Sequence, residues 1–464
     1  MPSLIGAMGA AVSGVNAQTM RFGSISDNIA NASSVGYKTS RVNFQNTLST
    51  VPQPLQLPGT VVPTVHQNLS VGGALKQSNN IGDMSLLGNG FFAVANRLSS
   101  DGSQVAGNSD YALTRRGDFS IDKNGNLVNS NGMALLGVAI ASPIPIYDNG
   151  IVSTPSVSNQ QIAAIGKGVG SIAADAGLTS FIPIRIGQNA VIPAVTSSNI
   201  YVGVNLPAAE PLQGGKTYQA TVNVTDKNGQ NQTINLSFKR NGTVGGALPG
   251  GVVQENIWDV SISGANVTPA SFKLSFDSTG HVLNAQSSVF PVTVGGTNMS
   301  LNFGAGQSAN SGIPHPETTQ LDDQFSVAGA TTDGLAKGQA IGWSVSQNGI
   351  ISQKFSNGIN IPRYQIGLGS APNNDGLEAI NGEAWVQSPQ SGKIKAFLSS
   401  SGVTGNTSGA GLDTAIFSGA LEESTVDLAT EFTNMIVTQR QYSANTKVMS
   451  VVDQMNAQTA QLGK

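Results

Sequence analysis

Histidine, aspartate and glutamate are the side chains that could carry out acid–base or metal chemistry in this chain, but their spacing supports neither. The three histidines, His66, His281 and His315, lie far apart, and none belongs to a spacing such as HExxH, which places two ring nitrogens on one metal. Cysteine is absent, which excludes thiolate metal sites and cysteine nucleophiles. The residue types therefore predict no catalytic site, no metal centre and no cofactor.

Two acidic segments come nearest to a metal-binding pattern. Residues 122–125 and 226–229 both read Asp-Lys-Asn-Gly, which is similar to the opening of a calcium loop. Both lack the remaining oxygen ligands and the closing glutamate of such a loop. Asn-Gly is a strong hairpin signal because both residues tolerate positive φ, and alternating apolar residues flank each segment. We therefore predict hairpin turns at both positions.

Charge and hydropathy exclude several classes of protein. Charged residues make up 11 % of the 464 residues and the formal net charge is −3, so nothing favours binding to nucleic acid. No apolar run approaches the ~18 residues of a membrane span, so no membrane span is predicted. Hydrophobic residues make up 39 %, enough for several modest cores, which argues against a disordered chain.

The amino-terminal segment has the pattern of an amphipathic helix. Mostly apolar residues recur in alternating steps of four and three, which is the heptad repeat of a coiled coil. They are Leu4, Met8, Ala11, Val15, Gln18, Phe22, Ile25 and Ile29. Ser3 can cap the start of this helix, and Asn31 with Gly36 can end it. Because no basic region precedes the apolar stretch, we predict a helix rather than a cleaved secretory signal.

The carboxyl end predicts a second, longer helix over residues 424–462. Ser424 and Asp427 fit a capping box, in which a hydroxyl and a carboxylate satisfy free backbone amides. The same four-and-three step then follows at Leu428, Phe432, Met435, Gln439, Tyr442, Thr446 and Met449, and Val452 continues it on a slightly rotated stripe.

Between the two helices the composition changes to that of an antiparallel β protein. Apolar residues alternate along 218–224 and again along 234–238, on either side of an Asn-Gly turn, so one face of this hairpin is buried. The predicted fold is mainly β with terminal α-helices: antiparallel sandwich-like or barrel-like modules plus a coiled-coil domain built from both chain ends. The predicted domains are the helical ends (1–31 and 424–464), an extended connector (32–75), an inner β domain (76–142 and 321–423) and an outer β region (143–320).

The helices predict self-assembly. Gly6, Gly9, Gly14 and Gly23 each cost the first helix about 0.8–1 kcal/mol relative to alanine, so this helix should form only when packed against a partner. We expect the two stripes to bury against each other and against neighbouring copies. The predicted assembly interface comprises Leu4, Met8, Ala11, Val15, Phe22, Ile25, Ile29, Leu428, Phe432, Met435, Tyr442, Met449 and Val452.

Residues 28–38 resemble the amino-terminal signature of the bacterial flagellar rod and hook proteins, an Ala-Asn pair followed by a hydroxyl residue and Gly-Tyr-Lys. The motif residues here are Ala30, Asn31, Ser34, Gly36, Tyr37 and Lys38. Residues 421–445 are similar to the carboxyl-terminal signature of the same family, and residues 114–127 to a hairpin of its shared β domain. A long β insertion favours the hook members, because rod proteins of this type are shorter.

The resemblance implies a structural subunit and no enzymatic activity. In this family the terminal helices pair and stack into an inner tube, and the β domains lie at larger radius. Subunits polymerise helically into the curved hook, a flexible coupling that passes motor torque to the filament. The implied partners are further copies of the chain and the hook-cap, distal-rod, hook–filament junction and hook-length-control proteins. The implied location is the extracellular hook, reached through the flagellar type III apparatus without a cleaved signal.

Two alternatives stay open on the sequence. One is a distal rod protein, which would form a rigid shaft. The other is a secreted β enzyme or glycan-binding protein, for which an enzyme would need converging carboxylates. The loosely clustered central acids are Glu317, Asp322, Asp323 and Glu378.

Overall fold

The computed structural model of the chain is mainly β, with one α-helix at each end, as predicted. The described residues are 2–47, 60–100, 102–107, 110–140, 146–148, 151–152, 177–211, 215–241, 256–264, 267–268, 270–277, 279–282, 289–304, 317–321, 324–381, 383–398 and 414–462. Helix α1 spans Pro2–Ala30 and helix α2 spans Leu428–Leu462. Neither helix is long and apolar enough to cross a membrane.

A β-hairpin follows α1 and corrects the prediction of an extended connector over 32–75. Strand β1 (Ser40–Thr47) pairs antiparallel with β2 (Thr60–Gln67), and both strands pack against α1. Val42 lies opposite Val65, and Phe44 opposite Pro63. Most of the prolines that suggested an extended segment lie between the strands, outside the described residues. Pairing across that gap is a non-local contact, which local proline content does not reveal.

Two short strand pairs link the helical end to the β domains. Strand β3 (Leu75–Gln77) pairs with β30 (Ala420–Glu422), and β4 (Met84–Leu87) pairs with β29 (Ala415–Ser418), both antiparallel. The outgoing and returning chains therefore run side by side before the returning chain enters α2.

The largest sheet forms the inner β domain and is antiparallel throughout its described pairings. Its strands are β5 (Phe91–Ala95), β6 (Tyr111–Thr114), β7 (Phe119–Ile121), β8 (Leu127–Asn129), β9 (Ala134–Ala139), β10 (Tyr147–Asp148), β11 (Ile151–Val152), β12 (Ile182–Pro183), β13 (Val191–Ile192), β23 (Gly338–Val345), β24 (Ile350–Phe355), β25 (Asn360–Ser370), β26 (Glu378–Ile380), β27 (Ala384–Val386) and β28 (Lys395–Leu398). Strand β5 is apolar at every position because both faces are covered: Phe92 and Val94 belong to one core cluster, and Phe91 and Ala93 to another. The sheet path ends at β11 and β26, so the described strands do not close the predicted barrel.

The outer β domain consists of two packed sheets, as expected for a sandwich, but it is not antiparallel throughout as predicted, because residues 199–201 pair parallel with residues 300–302. One sheet contains β14 (Asn199–Asn205), β18 (Val267–Thr268), β20 (Val289–Val294), β21 (Thr297–Asn302) and β22 (Ser326–Thr332). The other contains β15 (Thr217–Thr225), β16 (Asn231–Arg240), β17 (Ile257–Ser263) and β19 (Ser271–Ser275). Ile200, Leu236, Trp258 and Leu301 are buried in the core that both sheets share. The β15–β16 pairing contains the predicted hairpin, with Thr225 opposite Asn231.

Two domain boundaries differ from the prediction. Strands β10 to β13, predicted in the outer region, join the inner sheet, where Val191 pairs with Gln339 and Ile182 with Gly137. Strand β22, predicted in the inner domain, pairs with β14 of the outer domain. Sheet membership depends on pairing between distant segments, so proline-rich stretches marked the boundaries only approximately.

Candidate functional site: helical pair and domain joint

Helices α1 and α2 pack against each other and run antiparallel. Gly14 lies against Asn445, because a Cβ added to Gly14 would come within 2.9 Å of the Asn445 amide nitrogen. At the other end, Thr425, just before α2, donates its backbone N–H to the carbonyl of Tyr37, just after α1, at 3.1 Å. The missing side chain of Gly14 therefore makes room for the partner helix.

The covered side of α2 overlaps the predicted stripe only in part. The buried or half-buried residues of α2 are Glu431, Asn434, Met435, Thr438, Asn445, Thr446, Met449, Val452 and Asn456. Met435, Met449 and Val452 were predicted for this surface, whereas Leu428, Phe432 and Tyr442 are exposed. More than half of the covered positions are polar, so the spacing of apolar residues alone does not identify these polar positions.

On α1 the predicted stripe is only partly covered. Ala11 and Ile25 are buried, and Met8, Val15 and Ile29 are half-buried. Phe22 is 42 % exposed. Leu4 lies within α1, but its side chain is outside the described part of the structure.

Large apolar side chains therefore remain exposed on both helices, and we call them the uncovered helical surface. It comprises Val12, Met20, Phe22, Leu428, Phe432, Ile436, Val437, Tyr442, Val448, Val451 and Met455. Phe432 and Ile436 are 52 % and 53 % exposed. A helix with apolar residues on most of its circumference is typical of one buried on several sides, which a single chain does not provide.

The joint between α1 and the β-hairpin is built from polar residues of the amino-terminal motif region. Asn28 donates to the Ser40 carbonyl at 2.8 Å and accepts from the Ser40 N–H at 2.9 Å. The Tyr37 hydroxyl donates to the Asn28 amide oxygen at 3.2 Å. Burial, and secondarily the negative charge of Asp27, raises the pKa of Tyr37 to about 12. These bonds direct the chain from the end of α1 into β1.

The other motif residues shape the turn that ends α1. Ala30 is the last helical residue and is exposed. Asn31 donates its side-chain amide to the Asp27 carbonyl at 2.9 Å, and the Ser34 hydroxyl donates to Asn31 at 3.0 Å. Gly36 has φ +73° and lies so close to Arg115 that a Cβ would be 2.9 Å from its carbonyl carbon. Glycine is therefore required there for both backbone conformation and space.

Lys38, the last motif residue, is buried in an ion-pair cluster with Glu422 and Arg115. The Lys38 ammonium donates to Glu422 Oε1, and Arg115 Nη1 lies 3.2 Å from Glu422 Oε2. Burial lowers the pKa of Lys38 and that of Arg115, and Glu422 opposes both shifts. Arg115 also lies over the Phe91 ring at 5.0 Å. Residue spacing could not connect Arg115 or Glu422 to Lys38, because these residues are far apart in the chain.

Helix α2 begins four residues later than predicted, because Asp427 rather than Ser424 caps it. Asp427 Oδ1 accepts from the Ala429 N–H at 3.0 Å and from the Thr430 N–H at 3.5 Å. Thr425 is engaged elsewhere, since its hydroxyl accepts from the Thr39 N–H at 2.9 Å. The capping-box prediction is therefore wrong: residues 424–426 connect the joint to α2 instead of forming its first turn.

The histidines and acidic turns do not form a metal site in the described part of the chain. No group of three or more His, Asp or Glu residues there is arranged to hold a metal ion. His281 contacts Glu317 at 3.3 Å, His66 lies in β2, and His315 is outside the described residues. Residues 122–125 and 226–229 form hairpin turns, as predicted.

Three family models match the chain. Residues 85–191 match the flagellar hook protein FlgE/F/G D1 domain, and residues 199–335 match the flagellar basal body protein FlaE D2 domain. Residues 418–462 match the flagellar basal body rod FlgEFG protein C-terminal model. The first range contains strands β5 to β12 and the start of β13 of the inner β domain, and the second contains strands β14 to β22 of the outer β domain. The matches therefore define an axial structural protein of the bacterial flagellum.

Individual relatives narrow this class. The flagellar hook protein FlgE of Rhizobium meliloti (strain 1021) is 29 % identical over 450 residues, and that of Brucella melitensis biotype 1 is 30 % identical over 453 residues; each match covers 96 % of both chains. The crystal structure of Helicobacter pylori flagellar hook protein FlgE2 aligns with a TM-score of 0.47 and 15 % identity, over 70 % of this chain and 98 % of that one. On the sequence matches, the chain belongs to the flagellar hook protein family. The matches do not favour the distal-rod or glycan-binding alternatives.

Proposed function

We propose that this chain is the repeating subunit of an extracellular flagellar hook and that it polymerises through its terminal helices. The observation that carries the proposal is the uncovered helical surface, which a single chain leaves in water. Copies stacked around a common axis would cover it, and the paired α1 and α2 helices would then form a continuous coiled-coil inner layer.

The energetics favour this assembly. Full burial of a Leu- or Phe-sized side chain contributes about 1.5–3 kcal/mol, so covering the exposed half of each contributes about 1 kcal/mol. Eleven such side chains belong to the uncovered helical surface. Their combined burial can offset the glycine cost of α1, about 3–4 kcal/mol for four glycines. We infer that α1 and α2 are most stable in the polymer.

The β domains are proposed to bend the tube. They would lie outside the helical layer and slide on their neighbours, because few charged pairs lock one geometry. The inner helical contacts would persist while the outer contacts repack. By family membership we further propose export through the type III apparatus without a cleaved signal, and contacts with the hook-cap, distal-rod, junction and length-control proteins.

Substitution on the uncovered helical surface tests the proposal. The double variant Phe432→Ser with Ile436→Ser removes apolar area without changing the α1–α2 contact, since both side chains are exposed. We expect purified wild-type protein to form curved tubes and the variant to remain monomeric, as seen by electron microscopy and sedimentation. Removing residues 1–30 should have the same effect and leave the β domains folded.

The matched control is Gln441→Ser, an exposed polar position on the same helix. It should assemble like the wild type. A truncated chain that still polymerises, or a double variant that assembles normally, would refute the helical mechanism. Straight tubes from wild-type protein would indicate a shaft rather than a flexible coupling.

A further inference from the structure

The ion-pair cluster of Lys38, Arg115 and Glu422 is notable for its burial in a chain with so few charges. Its side chains are 0 %, 2 % and 1 % exposed, respectively. A buried ion pair seldom adds net stability, because removing charges from water costs about as much as their attraction returns. Its presence at this position therefore calls for a role other than stability.

Glu422 connects four chain segments at the junction between the helical pair and the inner β domain. Its side chain accepts from the Lys38 ammonium, from Arg115 and from the Gly73 N–H at 2.8 Å. Its backbone carbonyl accepts from the Gly36 N–H at 2.8 Å. The four segments are the end of the α1 motif, the return from the β-hairpin, the inner β domain at Arg115, and the strand that leads into α2.

Glu422 is therefore a point at which residues of the inner β domain and residues next to both helices meet. Arg115 follows β6 of the inner sheet, whereas Lys38 and Glu422 flank the two helices in sequence. Beyond this point, Glu423 donates its N–H to the Ala74 carbonyl at 2.8 Å. A change in the angle between helical pair and β domain must alter these bonds.

We propose, resting on the hook function proposed above, that Glu422 is a positioning residue. With Lys38 and Arg115 it holds the helical pair at a defined orientation on the inner β domain. Bending forces that reach the outer domains then pass to the inner tube through a stiff joint.

The charge balance predicts an order among substitutions. The cluster holds two cations and one anion, so removing either cation leaves a neutral pair, whereas removing Glu422 leaves two unpaired buried cations. Glu422→Gln should therefore disturb the protein far more than Lys38→Met. Lys38→Met keeps the Arg115–Glu422 pair and is expected to fold, which makes it the informative variant.

The experiment compares each variant with a matched control at an exposed position. The control for Lys38→Met is Lys76→Met on β3, and the control for Glu422→Gln is Glu423→Gln at the neighbouring position. Amide hydrogen exchange at residues 36, 73 and 423 is measured on soluble subunits and on tubes. The persistence length of the tubes is measured by electron microscopy. Lys38→Met should raise exchange at these amides about tenfold and lower the persistence length, and Glu422→Gln should raise exchange further. Both controls should match the wild type.

The outcomes separate this inference from the proposed function. If Lys38→Met raises exchange but its tubes bend like the wild type, the cluster only stabilises the joint and the positioning role is wrong. Unchanged exchange in Lys38→Met and Glu422→Gln also overturns it. Failure of the wild type to form tubes refutes the hook proposal instead, and the exchange of soluble subunits still decides whether the cluster holds the joint.

Discussion

At the scale of single residues, the joint depends on polar groups that are buried together. The Tyr37 hydroxyl donates to the Asn28 side chain, which forms hydrogen bonds with both the N–H and the carbonyl of Ser40. Because burial favours the neutral phenol, the fold keeps Tyr37 protonated at pH values where an exposed tyrosine ionises. We therefore expect the joint to be sensitive to alkaline pH.

The raised pKa of Tyr37 predicts how stability changes with pH. The unfolded chain releases this proton near pH 10 and the folded chain near pH 12. The contribution of the neutral phenol to the free energy of unfolding is therefore complete below pH 10 and is lost as the pH rises towards 12. The loss should reach at most about 2–3 kcal/mol. Urea unfolding from pH 9 to 11.5 should show a steeper decline for wild type than for Tyr37→Phe.

The control for this measurement is Tyr442→Phe, which alters an exposed tyrosine. Its pH profile should parallel that of the wild type. If Tyr37→Phe also follows the wild-type profile, the phenol is not held neutral by the fold and the description of the joint is wrong.

At the scale of elements, one turn design recurs across the β domains. At Asp122, Asn129, Asp226 and Asp277, a side-chain oxygen accepts the N–H groups two and four residues later at 2.7–3.1 Å. In the turn from Asp122, Gly125 has φ +85° while Asn124 does not have a positive φ. The asparagine of Asn-Gly therefore does not adopt the conformation on which the hairpin prediction was based. The turn is stabilised instead by the side-chain oxygen at its start, which accepts two backbone N–H groups.

Substitution at Asp122 tests this design. Asp122→Ala should destabilise the inner domain by about 1–2 kcal/mol, because two backbone N–H groups lose their acceptor. Asp122→Asn should be nearly neutral, since Asn129 holds the same bonds in the next turn. Urea unfolding measures both, with Lys123→Ala at an exposed position of the turn as control. Equal effects of alanine and asparagine would contradict the acceptor role.

At the scale of the whole molecule, the described residues join the outer domain to the inner domain at a narrow crossing. Val195 and Leu335 exchange backbone hydrogen bonds of 2.7 and 2.8 Å where the chain leaves and re-enters the inner domain. The outer core and the inner cores are separate clusters. The two domains should therefore fold independently.

Dividing the chain at this crossing tests that independence. A fragment of residues 196–334 should fold alone, and Trp258, its one tryptophan, should show the blue-shifted fluorescence of a buried indole. Replacing the same residues by a short Gly-Ser linker should leave the inner domain's unfolding midpoint within a few degrees of the wild type, because no shared core is lost. An unfolded fragment, or a large decrease in the unfolding midpoint of the inner domain, would show that the domains stabilise each other.

Much of this protein can be predicted from local pattern. Helix α1, most of α2 and the hairpins at 122–125 and 226–229 follow from periodicity and turn residues, whose energetics act within a few positions. The flagellar rod and hook family was recognisable from motifs at both ends, and the sequence comparisons confirmed it. Apolar periodicity located the stripe on α2, but it could not distinguish the residues that face the same chain from those that are left exposed.

The amino-acid sequence alone determined that the ends are helical and that the middle is mainly antiparallel β, because these properties depend on neighbouring residues. Only the tertiary structure decided that β10 to β13 join the inner sheet, that residues 40–67 form a hairpin on α1, and that Lys38, Arg115 and Glu422 meet. Those arrangements depend on contacts between residues up to 384 positions apart, and the free energy that selects them comes from burial and pairing in the whole fold.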